Sequence, residues 1–302
     1  MTPDQYCQER ASASGSSFYY SFLFLPPPRR RAITALYAYC REVDDAVDET
    51  SDATVAAAKL DWWHGEIERL FAGTPQHPVT RALQPHLADY GLTRERLLLV
   101  LEGMRMDLQQ NRFLDFAALA RYCHLVAGVV GEMAAGIFGL THEATYEYAR
   151  NLGLALQLVN IIRDVGEDAR RGRIYLPLDD MKRFGVKAAD ILACRYTDGF
   201  AGLMGHQADR ARGAFAAALG ALPEADLRAQ RTGLIMGAIY SALLDELARD
   251  GFPVLHQHVS LTPIRKLAIA WRTWVFGPPA RMRQWPAGAA VKVQGADRIA
   301  DT

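Results

Sequence analysis

The chain has 302 residues, 50% of them hydrophobic, with 34 Lys+Arg against 34 Asp+Glu and so no formal net charge. This is globular composition with enough apolar surface for a sizeable core, and it excludes wholesale disorder. Without a global positive field to draw it onto a polyanion, nucleic acid is not an expected partner.

Helical periodicity runs through the sequence, and no series of alternating β-branched strands bounded by hairpin turns interrupts it, so the expected fold is all-α. Near the N-terminus, the apolar stretch from Phe18 to Leu25 follows Asp4 and Glu9 rather than a basic segment. It runs into three prolines and Arg29-Arg30-Arg31, and it reads as a helix rather than a secretion signal. Helices are then predicted over 28–50, 52–71, 76–89, 94–110, 116–140, 144–169, 198–220, 224–249 and 262–276. Gly73-Thr74-Pro75, Tyr90-Gly91-Leu92-Thr93 and Asp250-Gly251-Phe252-Pro253 supply the breaks, with Thr93 at N-cap spacing before an apolar run. The loop from Arg171-Gly172-Arg173 to Pro177 closes the sixth long helix.

No internal repeat and no linker divides the chain, which predicts one helical domain over 1–277 followed by a loosely held tail over 278–302. The most apolar longer window, Leu125 to Leu140, falls short of the roughly 20 residues a bilayer needs and carries Glu132 in its middle. The four cysteines are far apart and form no zinc-like cluster, which fits a reduced, cytoplasmic setting.

The first segment with chemical content is Arg41-Glu42-Val43-Asp44-Asp45-Ala46-Val47-Asp48. Helical spacing puts Asp44 and Asp48 on one face. Two carboxylates about 6 Å apart repel by roughly 3 kcal/mol at an effective dielectric near 20, so an inward-facing pair requires a cation. Read alone, the segment fits a solvated acidic face at least as well, with Arg41 paired to Asp44 or Asp45. A second segment shifts the balance, because Asn160, Asp164 and Asp168 recur every four residues on an otherwise apolar helix and Gln157 lies near the same stripe. Such a row is costly to bury without ligands. Oxygen donors without His or Cys suit Mg²⁺, and Arg163, Arg170, Arg171 and Arg173 supply cations that grip phosphate. The expectation is a Mg²⁺ cluster holding a diphosphate, the plain alternative being two unrelated salt-bridged surfaces.

Several motifs together resemble the squalene/phytoene synthase family over about residues 6–276. They are Ser16-Ser17-Phe18-Tyr19-Tyr20, Arg31 through Tyr37 to Arg41, the Asp44/Asp45/Asp48 motif, Tyr122 through Val126 and Gly128 to Gly131, Asn160 through Arg163 and Asp164 to Asp168, and Gly172-Arg173-Ile174-Tyr175-Leu176-Pro177. Within the family, Ala13 to Pro26 and Leu255 to Pro263 are most similar to the bacterial presqualene diphosphate synthases of hopanoid biosynthesis. The resemblance implies a single-domain isoprenoid-synthase helical bundle around a central apolar cavity. It implies head-to-head (1′-1) condensation of two farnesyl diphosphates, with two or three Mg²⁺ ions, or Mn²⁺ in their place, held by Asp44, Asp48, Asn160, Asp164 and Asp168. NADPH is not expected for presqualene diphosphate formation. Tyr122 matches a tyrosine thought to help the departing diphosphate take up a proton. Arg41, Gln157 and Arg163 match positions that contact diphosphate or order the cluster, and Asp45, Val126 and Arg173 fall within the same motifs and join the substrate-binding set.

A carbocation is quenched by water, so aromatic walls suit this chemistry; Phe18, Tyr37 and Tyr240 are the candidates, each readable also as ordinary core. Gly128, Gly131, Gly136 and Gly139 fit either close helix approach or room for a C15 tail. The family usually carries an arginine where this chain has His258. Neutral histidine grips diphosphate less and imidazolium partly replaces the arginine, unless His256 and His258 are plain surface loop residues. The last helix mixes Arg265, Lys266 and Arg272 with Trp271, Trp274 and Phe276. It reads either as packing on the core or as peripheral contact with the inner membrane face. A downstream isoprenoid enzyme is a conceivable partner. The competing functions are phytoene synthesis from two geranylgeranyl diphosphates, NADPH-dependent squalene synthesis, and a non-catalytic helical assembly protein on the same scaffold.

Overall fold

The structure, a computed structural model, describes residues 1–13, 21–48, 50 and 52–286. Among these residues the regular elements are helices, and the only β-type pairing is an isolated bridge between Arg112 and Ile174. The first half contains α1 (Pro3–Ala13), α2 (Pro27–Asp48), α3 (Ala53–Phe71), α4 (Pro78–Leu83), α5 (Leu87–Tyr90) and α6 (Arg94–Gln109). Then come α7 (Phe116–Cys123), a π-helical turn (His124–Gly128), α8 (Val129–Phe138) and α9 (Ala144–Arg170). The remainder is α10 (Leu178–Arg183), α11 (Ala188–Leu192), α12 (Phe200–Ala221), α13 (Arg231–Arg249), α14 (Pro263–Phe276) and α15 (Arg281–Gln284).

Caps fix several of these starts. Asp52 accepts from the Thr54 amide at 2.8 Å to begin α3, Thr93 accepts from Arg96 to begin α6, and Asp115 accepts from Ala118 to begin α7. The predicted 76–89 helix is broken, because Pro85 supplies no amide and forces a 3₁₀ turn over Gln84–His86. The predicted 224–249 helix begins only at Arg231. Asp226 is drawn aside to bind the Thr141 and His142 amides and the Thr145 hydroxyl, leaving a 3₁₀ turn over Glu224–Asp226. α1 was not expected, since only Cys7 and Ala11 of it are buried and its apolar periodicity is weak. Of the expected 18–25 helix, residues 18–20 lie outside the described residues, and Ser21 to Leu25 runs out into a turn. Of the expected loose tail over 278–302, residues 287–302 lie outside the described residues, and within 278–286 two side chains pack on the bundle while most of the others are exposed. Met282 is 1% exposed, and Trp285 lies against Phe215 with ring centroids 5.9 Å apart.

α9 is the central helix and packs on α8, α12 and α13. Its contact with α8 depends on Gly131, where a Cβ would sit 2.6 Å from the Ala149 carbonyl oxygen. α2 packs on α1, α3 and α4, and its inner face meets that of α9 across a cavity of about 570 Å³ lined from both helices and from α6, α8 and α13. No helix among the described residues is long and apolar enough to cross a membrane.

Candidate active site

One end of the cavity is charged. Arg41 and Asp44 of α2 line it, paired at 2.8 Å. Asp45, expected with the substrate-binding set, does not face the cavity. A helical step of about 100° turns it off the Asp44–Asp48 stripe, towards Arg10 at 2.5 Å and Arg41 at 2.7 Å, where it lines a separate hollow beside Trp62 and Trp63. Asp48 crosses to the other acidic segment, accepting from Arg171 and Arg173, each at 2.7 Å. Arg173 also lies 3.3 Å from Asp107 at the end of α6, and the Tyr175 hydroxyl donates to Asp107 at 2.5 Å. The backbone holds this segment in place, with the Ile174 amide on the Asn111 carbonyl at 3.1 Å and Leu178 on Phe113 at 2.9 Å.

α9 provides the facing row. Arg163 grips Asp164 with two bonds of 2.7 and 2.6 Å and lines the cavity beside Gln157 and Asn160. The Asn160 amide lies 3.5 Å from the Gln157 oxygen, while its own Oδ1 is buried and accepts no bond. One turn on, Gly166 permits the Val254–Leu255 strap to lie flat on α9. A Cβ there would stand 2.4 Å from the Leu255 oxygen, and the Gly166 amide donates to Val254 at 3.2 Å. That strap delivers His258 to the cavity rim, with Nδ1 2.8 Å from Glu167 and 3.8 Å from Asp164. His258 thus lines the cavity beside the acidic row of α9, its side chain 48% exposed.

Electrostatics tie the two rows together. Burial, together with Asp48, Asp45 and Asp107, pushes the Asp44 carboxyl up to about 6 against the pull of Arg41. Burial and the negative charges of Asp164 and Asp107 push Asp168 up to about 8, although Arg173 and Arg171 oppose them. Burial raises Asp107 as well. Among the described residues, the acids whose donor atoms converge are Asp164 and Glu167, which lie with His258 Nδ1 within 4.8 Å of one another, and Asn160 Oδ1 on the same helix is buried and accepts no bond. Oxygen donors of this kind suit a hard divalent cation, and a histidine nitrogen stands beside them.

Behind this mouth the walls are apolar and aromatic. Tyr37, Tyr122, Val126 and Tyr240 all line the cavity. Phe18 lies outside the described residues. Tyr37 meets Phe22 edge-on at 6.2 Å. Tyr122 stacks on Tyr175 at 5.4 Å, and burial keeps its hydroxyl protonated well above the ordinary tyrosine range. Tyr122 and Tyr175 both hydrogen-bond to Asp107, so the aromatic wall and the acidic mouth form one network. The π-helical turn carries Val126 on the cavity wall. Phe138, Tyr148 and Gln230 line the cavity on α8, α9 and the segment before α13.

Asp107 is the residue of this network not singled out beforehand; Arg171 was expected as a phosphate-gripping cation, and Tyr175 only as part of a motif. Asp107 had a signal: Val100, Met104 and Asp107 stand at i, i+4 and i+7, which puts an acid on the buried stripe of α6.

Residues 11–265 match the squalene/phytoene synthase family model. The chain belongs to the squalene/phytoene synthase family. It is 35% identical over 269 residues to a chloroplastic phytoene synthase of an Oncidium hybrid cultivar, covering 87% of this chain and 64% of that protein. A 15-cis-phytoene synthase of Synechocystis is 35% identical over 280 residues, covering 88% and 83% respectively. Among solved structures, a dehydrosqualene synthase bound to a ligand matches with a TM-score of 0.81 at 26% identity, over 91% of this chain and 96% of that one. The squalene synthase HpnC of Alicyclobacillus acidocaldarius matches with a TM-score of 0.74 at 31% identity, over 83% and 94%. The all-α single-domain fold is thus the squalene/phytoene synthase fold, and the acidic mouth lies within the matched residues.

Proposed function

We propose that this chain condenses two farnesyl diphosphates head-to-head (1′-1) into presqualene diphosphate and free diphosphate. The observation that carries this reading is one otherwise apolar and aromatic cavity lined by Arg41 and Asp44 of α2 and by Gln157, Asn160 and Arg163 of α9, with Asp48 of α2 tied to Arg171 and Arg173 just past the second acidic motif. Two or three Mg²⁺ ions, or Mn²⁺ in their place, held by Asp44, Asp48, Asn160, Asp164 and Asp168, would supply Lewis-acid neutralisation of the diphosphate charge. Arg41, Arg163, Arg171 and Arg173, now paired with Asp44, Asp164 and Asp48, stand ready to turn to phosphate oxygens as those acids take up metal. His258 on the rim serves where the family's arginine would.

The C1–O bond of one farnesyl diphosphate breaks and the diphosphate leaves with the electron pair. The C2=C3 double bond of the second chain attacks the resulting allylic cation, and loss of a proton closes the cyclopropane. The departing diphosphate receives that proton, and Tyr122, its hydroxyl held protonated and tied to Tyr175 and Asp107, orients the transfer. Tyr37, Tyr122 and Tyr240 shield the cation from water and present π-faces, each worth something like 0.5 to 2 kcal/mol to a cation.

The similarity to proteins described as squalene and dehydrosqualene synthases supports the farnesyl reading. The curated relatives described as phytoene synthases favour a second one, condensation of two geranylgeranyl diphosphates. The test is incubation of the purified protein with each diphosphate and Mg²⁺, with and without NADPH, followed by lipid analysis. Presqualene diphosphate in both conditions supports the proposal. Squalene formed only with NADPH assigns squalene synthesis, and a C40 product from the longer substrate assigns phytoene synthesis. No turnover with either substrate assigns a non-catalytic role.

A further inference from the structure

α14 is amphipathic in the reverse sense to a core helix. Only Ala270 and Thr273 of it are buried, on the side packed against α13. On the opposite side Ile264, Leu267, Ala268, Trp271 and Val275 follow one another at i, i+3, i+4, i+7 and i+11, a continuous apolar stripe that faces outward. Ile264 is 80% exposed, Trp271 59% and the neighbouring Phe276 74%. The stripe continues onto a second segment. Phe24 stacks on Trp274 at 5.0 Å, and beside it Leu23 points outward, 44% exposed.

Charge is equally one-sided. Between Leu261 and Pro286 the chain carries Arg265, Lys266, Arg272, Arg281 and Arg283 and no Asp or Glu, within a protein of zero net charge. Arg265 and Arg272, seven residues apart, edge the stripe on one side. Arg265 pairs with Glu246 and Arg281 with Asp245, whereas Arg272 and Arg283 make no ion pair among the described residues. The same two segments border the cavity: Phe22, one residue before Leu23, lines it, as do Leu261 and Lys266 at the start of α14.

We propose that the outer face of α14, with Leu23, seats the protein on an anionic lipid bilayer, so that the cavity opens beside the membrane. Apolar side chains enter the headgroup boundary while the flanking arginines meet lipid phosphates. A second copy of the chain is a poorer occupant, since a self-complementary contact would set like-charged arginine edges against one another. A location beside the bilayer suits the entry and exit of prenyl chains, and that benefit rests on the proposed function. Attachment itself does not, and it is read without substrate.

The experiment is flotation of the full chain, without substrate, with phosphatidylcholine vesicles made with and without phosphatidylglycerol. The wild-type protein floats with the anionic vesicles at low salt and is released at high salt, where the Debye length shrinks to about 3 Å. Ile264→Glu combined with Trp271→Glu weakens binding at least about tenfold. Arg272→Ala weakens it about fivefold, on anionic vesicles only. The changed side chains are exposed, so both variants keep the wild-type circular dichroism and melting temperature. Failure of the wild type to float, or binding unchanged in the double variant, overturns the inference. So does a concentration-dependent dimer that these substitutions abolish while no vesicle binding is seen, which would assign the face to a second copy.

Discussion

Asp168 and Asp44 are carboxyls that burial and neighbouring acids hold above the usual carboxylate range, at about 8 and about 6, against an ordinary 3.8. The folded state therefore binds more protons than the unfolded chain between these values, and the associated stability is lost as pH rises through about 6 and then about 8. The melting temperature of the metal-free protein should fall over that interval and be restored by Mg²⁺, more at the alkaline end. A melting temperature that climbs with pH in the presence of a chelator would contradict this. On the proposed function both acids ionise as they take up metal, so titration with Mg²⁺ near neutral pH should release protons, seen as a calorimetric heat that depends on the buffer. Asp164→Asn or Asp48→Asn should lower turnover by at least about a hundredfold with helical circular dichroism intact, since each removes a charged donor rather than core volume. Asp107→Asn should lower the proton release from Asp168, because one of the charges that hold its carboxyl up is gone. The four-residue spacing made Asp44, Asp48, Asp164 and Asp168 legible in the sequence. Asp45 was misplaced by a single helical step, and Asp107 has no acid one turn away to draw attention to it.

At the scale of elements, the approach of the Val254–Leu255 strap to α9 depends on one missing side chain. Gly166→Ala would set a methyl 2.4 Å from the Leu255 oxygen and 2.5 Å from that of Val254. The strap must then move, at a cost of about 1–3 kcal/mol, which should appear as a lower urea midpoint with an unchanged slope. His258 rides on that strap, so diphosphate affinity should fall in the same variant. Gly205→Ala, where nothing lies within 4 Å, is the control and should be neutral or slightly stabilising. The long helices were legible because their apolar stripes run over many turns and several begin at Asp or Thr caps. The short ones, α4, α5, α10 and α11, were missed or merged because six residues or fewer carry too few turns for a period to register.

For the molecule as a whole, the decisive object is the cavity. Ala134 and Ala135 of α8 line it together with Phe138, at a point where small side chains leave room. Ala134→Phe should fill that room, cutting turnover of the C15 diphosphate by at least about a hundredfold while a C10 diphosphate still binds, because only the reach of the pocket changes. Competition binding of the two chain lengths, with circular dichroism to confirm the fold, checks it. The sequence by itself determined the all-α class, most helix positions, the two acidic stripes and the family, because these rest on local spacing and on motifs written along the chain. Tertiary packing alone decided that Asp48 meets Arg171 and Arg173, that Asp107 joins the mouth while Asp45 leaves it, and how much room the cavity holds. It also decided that the apolar side of α14 faces outward. A helical period fixes which residues share a face, but the angle at which distant helices cross fixes what that face meets.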